Sequence, residues 1–136
     1  MRKRILLIDD EEAFRASLAG VLKAARYDVL EAADGQKALA VIEKLRGGID
    51  LLIVDLCLPD INGFEVIGTI TRRPSNIKIM ATSAVYQDLY LDIAATIGAT
   101  EAIRKQPMGE PFDADLWLNA VERLIGTVVD SEGASA

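Results

Sequence analysis

Five short aliphatic runs punctuate the chain: RILLI (4–8), DVLEA (28–32), LLIV (51–54), IKIMAT (77–82) and EAIR (101–104). Between them lie longer stretches in which apolar residues recur every three or four positions. The short runs predict strands and the longer ones helices. In EEAFRASLAGVLKAA (11–25), Phe14, Leu18, Val21 and Leu22 share one helical face; in GQKALAVIEKL (35–45), Ala38, Leu39, Ile42 and Leu45 do the same. GFEVIGTITRR (63–73) and YQDLYLDIAATIG (86–98) carry weaker helical patterns. DADLWLNAVERLIG (113–126) carries a strong one, with Leu116, Trp117, Ala120 and Leu124 as its expected core stripe.

Strands alternating with helices predict an α/β domain with a parallel sheet covered on both faces. The first, third and fourth runs are nearly all apolar and suit the middle of the sheet. DVLEA and EAIR are mixed, as edge strands should be. Right-handed crossovers then leave the flavodoxin-like (βα)5 three-layer sandwich, strand order 2-1-3-4-5, as the expected fold. One domain is expected over residues 1–126, followed by a small, polar tail at 127–136. Gly47-Gly48 reads as a loop rather than a phosphate cradle, because no helix start follows it.

Charge narrows the partners. Fifteen basic against twenty-one acidic side chains leave a net charge of −6, which disfavours direct nucleic-acid binding and an anionic membrane surface. There is no histidine, which removes Ser–His and Cys–His catalysis and the commonest transition-metal ligand. The single cysteine, Cys57, cannot form an intramolecular disulfide or, alone, a structural zinc site; it reads as a small hydrophobe. The basic start MRKR is followed by only four apolar residues and then four acids, so it does not read as a secretory signal. No window approaches the ~18 apolar residues of a membrane span. A soluble, cytoplasmic protein is expected, without membrane insertion.

In a 2-1-3-4-5 sheet the ligand crevice opens at the carboxyl ends of the first and third strands. The first strand ends in Asp9 and Asp10, and LLIV ends on Asp55. Two carboxylates ~4 Å apart repel by about 4 kcal/mol at an effective dielectric near 20, so the cluster calls for a cation or a shared proton. Oxygen ligands with room for water point to Mg²⁺. The fourth strand ends in the hydroxyls of Thr82 and Ser83, of which alternation is expected to admit only one inward, with Ser83 favoured and Thr82 as the alternative. The fifth ends at Arg104 and Lys105. Metal, hydroxyl and ammonium facing an aspartate make a site for a phosphoryl group. Taken singly, these residues have blander readings: Asp9 or Asp10 as a helix cap, Lys105 as a solvated lysine.

Together, ILLIDDEEAFRASLAGVL, AADGQKAL, DLLIVDLCLPDINGFEVI, ATSA and GATEAIRK resemble the receiver domain of two-component response regulators, over roughly residues 4–125. Asp55, Pro59 and Gly63 match the family's D-x-x-x-P-x-x-x-G segment, and Lys105 follows Gly98 by seven residues. The resemblance implies that Asp55 accepts a phosphoryl group from a sensor histidine kinase or a histidine phosphotransfer protein. It implies Mg²⁺ held by Asp10 and Asp55 directly, by Asp9 through water, and by the Cys57 backbone carbonyl. Ser83 would be the switch hydroxyl and Lys105 the contact to the phosphoryl group. Output would pass to an unknown downstream protein through the face made by helix four, strand five and helix five. The resemblance also implies that Cys57 and Val85 would modulate the lifetime of the phosphate. Beyond transferring and losing its own phosphoryl group, no enzyme activity is implied, and either a monomer or a phosphorylation-dependent dimer is compatible, with Leu89 and Leu91 on helix four allowing association.

Three positions depart from the family pattern. Ala102 stands where an aromatic switch residue is usual, so that role is absent or moved, with Tyr86 and Tyr90 as candidates. Lys105-Gln106-Pro107 replaces a direct Lys-Pro step, which requires either a longer loop or a costly non-proline cis bond. Arg26 replaces a glycine and is expected in a strained left-handed cap. A receiver-like interaction module that is never phosphorylated is the alternative function. A flavodoxin is disfavoured because DDEE would repel a flavin phosphate, and a dehalogenase-like phosphatase because its second aspartate would stand where Cys57 is.

Overall fold

The computed structural model describes residues 2–46, 48–72, 76–84, 88–106 and 110–127, the side chains of 88–91 excepted. Its elements follow in strict alternation: β1 (Arg4–Ile8), α1 (Glu12–Ala24), β2 (Asp28–Ala32), α2 (Gly35–Leu45), β3 (Leu51–Asp55), α3 (Gly63–Thr71), β4 (Lys78–Ser83), α4 (Asp88–Ile97), β5 (Glu101–Arg104) and α5 (Ala114–Ile125). All strands pair in parallel, in the order β2-β1-β3-β4-β5. The flavodoxin-like sandwich expected from the hydrophobic pattern is therefore the fold, with DVLEA and EAIR at the two edges.

Alternation along the central strands divides the core into two layers. Ile5, Leu7, Leu51, Ile53 and Met80 pack with Leu18, Ala19 and Leu22 of α1 and with Trp117, Ala120 and Val121 of α5. Leu6, Ile8, Leu52, Val54, Ile79 and Ala81 pack on the other face with Ala38 and Ile42 of α2, Val66, Ile67 and Ile70 of α3, and Ala94 of α4. Each fully buried aliphatic side chain contributes roughly 1.5–3 kcal/mol relative to exposure. One expected stripe is displaced. Leu116 is 40% exposed, and Val121 takes its place in the core. The stripe of α5 is rotated from the expected face because that face must meet α1 and the sheet together.

Helix starts are chemically explicit. Asp34 accepts from the Lys37 N–H at 2.8 Å, Asn62 from Glu65 at 3.0 Å and Asp113 from Leu116 at 3.1 Å, each capping a free amide. Helix α1 ends in a Schellman motif: Tyr27 N–H donates to Leu22 O and Arg26 N–H to Lys23 O. Arg26 supplies the left-handed residue at φ 73°, as its place in the sequence predicts. No cis peptide bond occurs among the described residues, so Lys105–Gln106 is trans. Pro107 lies outside the described residues, as do Gly47, Val85, Tyr86 and residues 128–136 of the expected tail.

Candidate functional site

Parallel strands deliver their carboxyl ends to one rim, and β1 and β3 are neighbours there, with Ile8 in register with Val54. Asp9 follows β1 directly and is buried, while Asp10 turns to solvent. Asp9 is held by its main chain, its N–H donating to Ala32 O at 3.1 Å and its carbonyl accepting from Arg15 Nη1 at 2.7 Å. Its Oδ1 accepts from the Glu11 N–H at 2.9 Å. That bond orders the turn into α1, but Glu11 is the residue at the cap position. Capping therefore does not account for the acidic pair.

Asp55 ends β3 and is 5% exposed. Its Oδ1 accepts from the Cys57 N–H at 2.9 Å. The loop after it is closed by Gly63, whose N–H donates to Leu56 O at 3.0 Å. A Cβ at Gly63 would lie 2.3 Å from the Asp55 carbonyl oxygen, so glycine is required by close approach of two backbone segments. The same loop is tied to α2 by Asp60, whose carboxylate accepts the Gly35 and Gln36 amides at 2.9 and 2.8 Å. Desolvation is the largest single influence and pushes upward, but these bonds together with those from Ile61 and its own amide outweigh it and hold Asp60 below the usual carboxylate range.

Lys105 follows β5, and its own N–H donates to Ser83 O at 2.9 Å, extending the ladder by one rung. Its Nζ reaches Asp9 Oδ2 at 2.6 Å, Asp55 Oδ2 at 3.2 Å and Glu11 Oε2 at 3.5 Å. The ring of Phe14 closes the remaining side, its centroid 4.5 Å from Nζ. Burial opposes the lysine's charge, but Asp9 and Asp55 outweigh it and raise its pKa. Burial is also the main influence on Asp9, and with the charge of Asp55 it prevails over Lys105 to push Asp9 up to about 6. The Cys57 thiol is pushed up by burial and by Asp55, which makes it a poor nucleophile at neutral pH.

Asp9, Asp10 and Asp55 each offer a carboxylate oxygen, all within 4.8 Å of one another. One ammonium against three acids leaves two negative charges in excess. The approach of Lys105 to Asp9 Oδ2 is an ion pair without hydrogen-bond alignment, so that buried oxygen has no aligned donor among the described residues. An oxygen-only donor set with this charge fits a hard divalent cation.

Ser83 and Thr82 are both fully buried. The sheet is covered on both faces, so alternation separates the two hydroxyls without exposing either. Thr82 is the register partner of Asp55, and its hydroxyl is directed at Val54 O, 3.5 Å away. Ser83 lies one residue beyond. Ala102 packs against the α2–α4 layer opposite Ala81. The side chains of Leu89, Tyr90 and Leu91 lie outside the described residues. Glu11, Phe14 and Asp60 are the functional neighbours that sequence reasoning missed. Glu11 was visible only as part of an acidic run, and Phe14 only as a member of a core stripe.

Comparison with known proteins agrees with this geometry. Residues 5–114 match the model of the response regulator receiver domain. Protein CcdB of Bacillus subtilis is 32% identical over 124 residues, covering 90% of this chain and 98% of that protein. Chemotaxis protein CheY of Thermotoga maritima is 32% identical over 125 residues, covering 91% and 98%. The structure of chemotaxis protein CheY4 of Vibrio cholerae superposes with a TM-score of 0.79 at 26% identity, covering 91% of this chain and 99% of that one. The chain belongs to the receiver domain family of two-component response regulators.

Proposed function

We propose that this receiver takes up a phosphoryl group on Asp55 and passes the change to a protein partner. The donor would be a phosphohistidine of a sensor histidine kinase or phosphotransfer protein. An Asp55 carboxylate oxygen forms the new P–O bond while the P–N bond to the donor imidazole breaks, and the leaving imidazole takes up a proton. The observation that carries this reading is the Asp55 carboxylate held between the Cys57 amide at 2.9 Å and the Lys105 ammonium at 3.2 Å. The amide holds Oδ1 and the ammonium Oδ2, which fixes the plane of the carboxylate and leaves positive charge where the phosphoryl oxygens would develop theirs.

Receiver domains use Mg²⁺ at an acidic pocket, and the donor set here suits it. Asp10 and Asp55 would bind the ion directly, Asp9 through water, and the Cys57 carbonyl would complete the protein ligands. Bound there, Mg²⁺ would neutralise phosphoryl oxygens and offset carboxylate repulsion. Ser83 would donate its hydroxyl to a phosphoryl oxygen, with Cys57 and Val85 tuning how long the phosphate lasts. The α4–β5–α5 face is the proposed output surface, supported by the exposure of Ile93 and Leu116 at 39% and 40%. The domain is proposed to close at Gly126, whose carbonyl accepts the buried Tyr27 phenol at 2.7 Å. Among the described residues no helix is long and apolar enough to cross a membrane.

Incubation with acetyl phosphate and Mg²⁺, followed by mass spectrometry, tests the reading. A phosphoryl adduct at Asp55 that disappears in Asp55→Asn is expected. A wild-type chain that stays unmodified and does not respond to beryllium fluoride would instead be an interaction module that works without phosphate.

A further inference from the structure

The receiver reading leaves open what senses the lysine when β5 carries Ala102 in place of an aromatic residue. Phe14 of α1 touches Lys105, with Nζ 4.5 Å from the ring centroid. The same ring meets Trp117 of α5 edge to face, centroids 5.2 Å apart at 71°, and Phe112 ahead of α5 at 6.0 Å and 71°. Trp117 is fully buried, and its indole N–H has no hydrogen-bond partner among the described residues. Lys105 is thus enclosed by acids on one side and by the Phe14 ring on the other.

We propose that Phe14 is a positioning residue for Lys105, and that the Phe14–Trp117 contact carries the displacement of the lysine to α5. The inference rests on phosphorylation of Asp55. Lys105 cannot keep its contacts to Asp9, Glu11 and Asp55 unchanged once phosphoryl oxygens compete for the ammonium. Phe14 limits the direction of that shift: the ring attracts the cation through its face and bars water and retreat toward α5. Because the ring packs edge-on against Trp117, a change in where Nζ rests alters a contact inside the α1–α5 layer. The aromatic reader has moved from β5 to α1.

Trp117 is the sole tryptophan, so its emission reads the link directly. The full chain would be titrated with beryllium fluoride at saturating Mg²⁺, and acetyl phosphate uptake at Asp55 followed by mass spectrometry in parallel. In wild type the emission is expected to change on beryllium fluoride binding. In Phe14→Leu, beryllium fluoride still binds by calorimetry, most of the emission change is lost, and phosphoryl uptake is roughly three- to tenfold slower. Phe14→Tyr, which keeps the ring, restores both. Should the leucine variant not fold, Phe14→Met carries the same expectation. Wild-type emission change and uptake rate in the ring-less variant would overturn the proposal, as would failure of Phe14→Tyr to restore them. Labelling of Asp55 in wild type with no movement of Trp117 emission would overturn it while leaving the receiver function intact. Absence of labelling in wild type would overturn both.

Discussion

Lys105 Nζ lies nearer to Asp9 than to Asp55, at 2.6 Å against 3.2 Å. The lysine therefore neutralises the buried acid that follows β1 and also touches the residue proposed to accept phosphate. The two demands on one ammonium set what substitutions in the pocket will do.

Removing the ammonium leaves two buried carboxylates uncompensated. Lys105→Met should destabilise the metal-free protein by about 3 kcal/mol, the lower end for breaking a buried ion pair. Millimolar Mg²⁺ should recover part of that loss by supplying the missing charge. Urea denaturation of wild type and variant, with and without Mg²⁺, measures both effects. A metal-free cost below 1 kcal/mol would mean that the acids are stable without the lysine.

The raised pKa of Asp9 gives a pH dependence of definite sign. As pH rises past 3.8 the unfolded chain releases this proton, while the folded chain keeps it until about 6. The folded state binds more protons across that window, so the contribution of Asp9 to stability falls as pH rises from about 4 to about 6. Asp9→Asn removes the titration. The stability of wild type minus that of Asp9→Asn, measured without metal from pH 4 to 7, should decline through the window and then level off.

Gly63→Ala places a methyl group 2.3 Å from the Asp55 carbonyl oxygen and 2.7 Å from Leu56 Cα. Neither atom belongs to a flexible side chain. The backbone must shift, at a cost of about 3 kcal/mol, and the shift falls on Asp55 itself. Thermal unfolding and acetyl phosphate labelling should deteriorate together.

Arg26→Gly should act in the opposite direction. The left-handed conformation at φ 73° burdens a residue with a Cβ, and glycine relieves it; part of the gain is returned as unfolded-chain entropy. A net stabilisation of about 0.5 kcal/mol is expected, with Asp55 labelling unchanged. The midpoint of urea unfolding is the measurement.

The boundaries of β1, β2, α2 and β5 were legible residue for residue, because period and punctuation are local properties. Asp34 and Asn62 announce helix starts wherever the rest of the chain goes. The convergence of Asp9, Asp10, Asp55 and Lys105 was legible as well, since parallel strands must bring their carboxyl ends to one rim. The rotation of α5 was not: a helical repeat allows two adjacent stripes, and only packing against α1 and the sheet selects Val121 over Leu116. Nor was the meeting of Phe14 with Lys105, or of Asp60 with the first amides of α2. Periodicity marks which side of a helix turns inward without saying what waits there.

Lys105 has one further consequence, for how the molecule comes to exist. Its amide completes a rung on β4, and its ammonium reaches acids that follow β1 and end β3, pairings of very long sequence separation. Closing such loops is slow and entropically costly. On a growing chain Asp9, Asp10 and Asp55 emerge well before their cation, so the N-terminal half carries its acids uncompensated. The pocket is therefore incomplete until β5 pairs with β4, because only then does the Lys105 ammonium face Asp9 and Asp55.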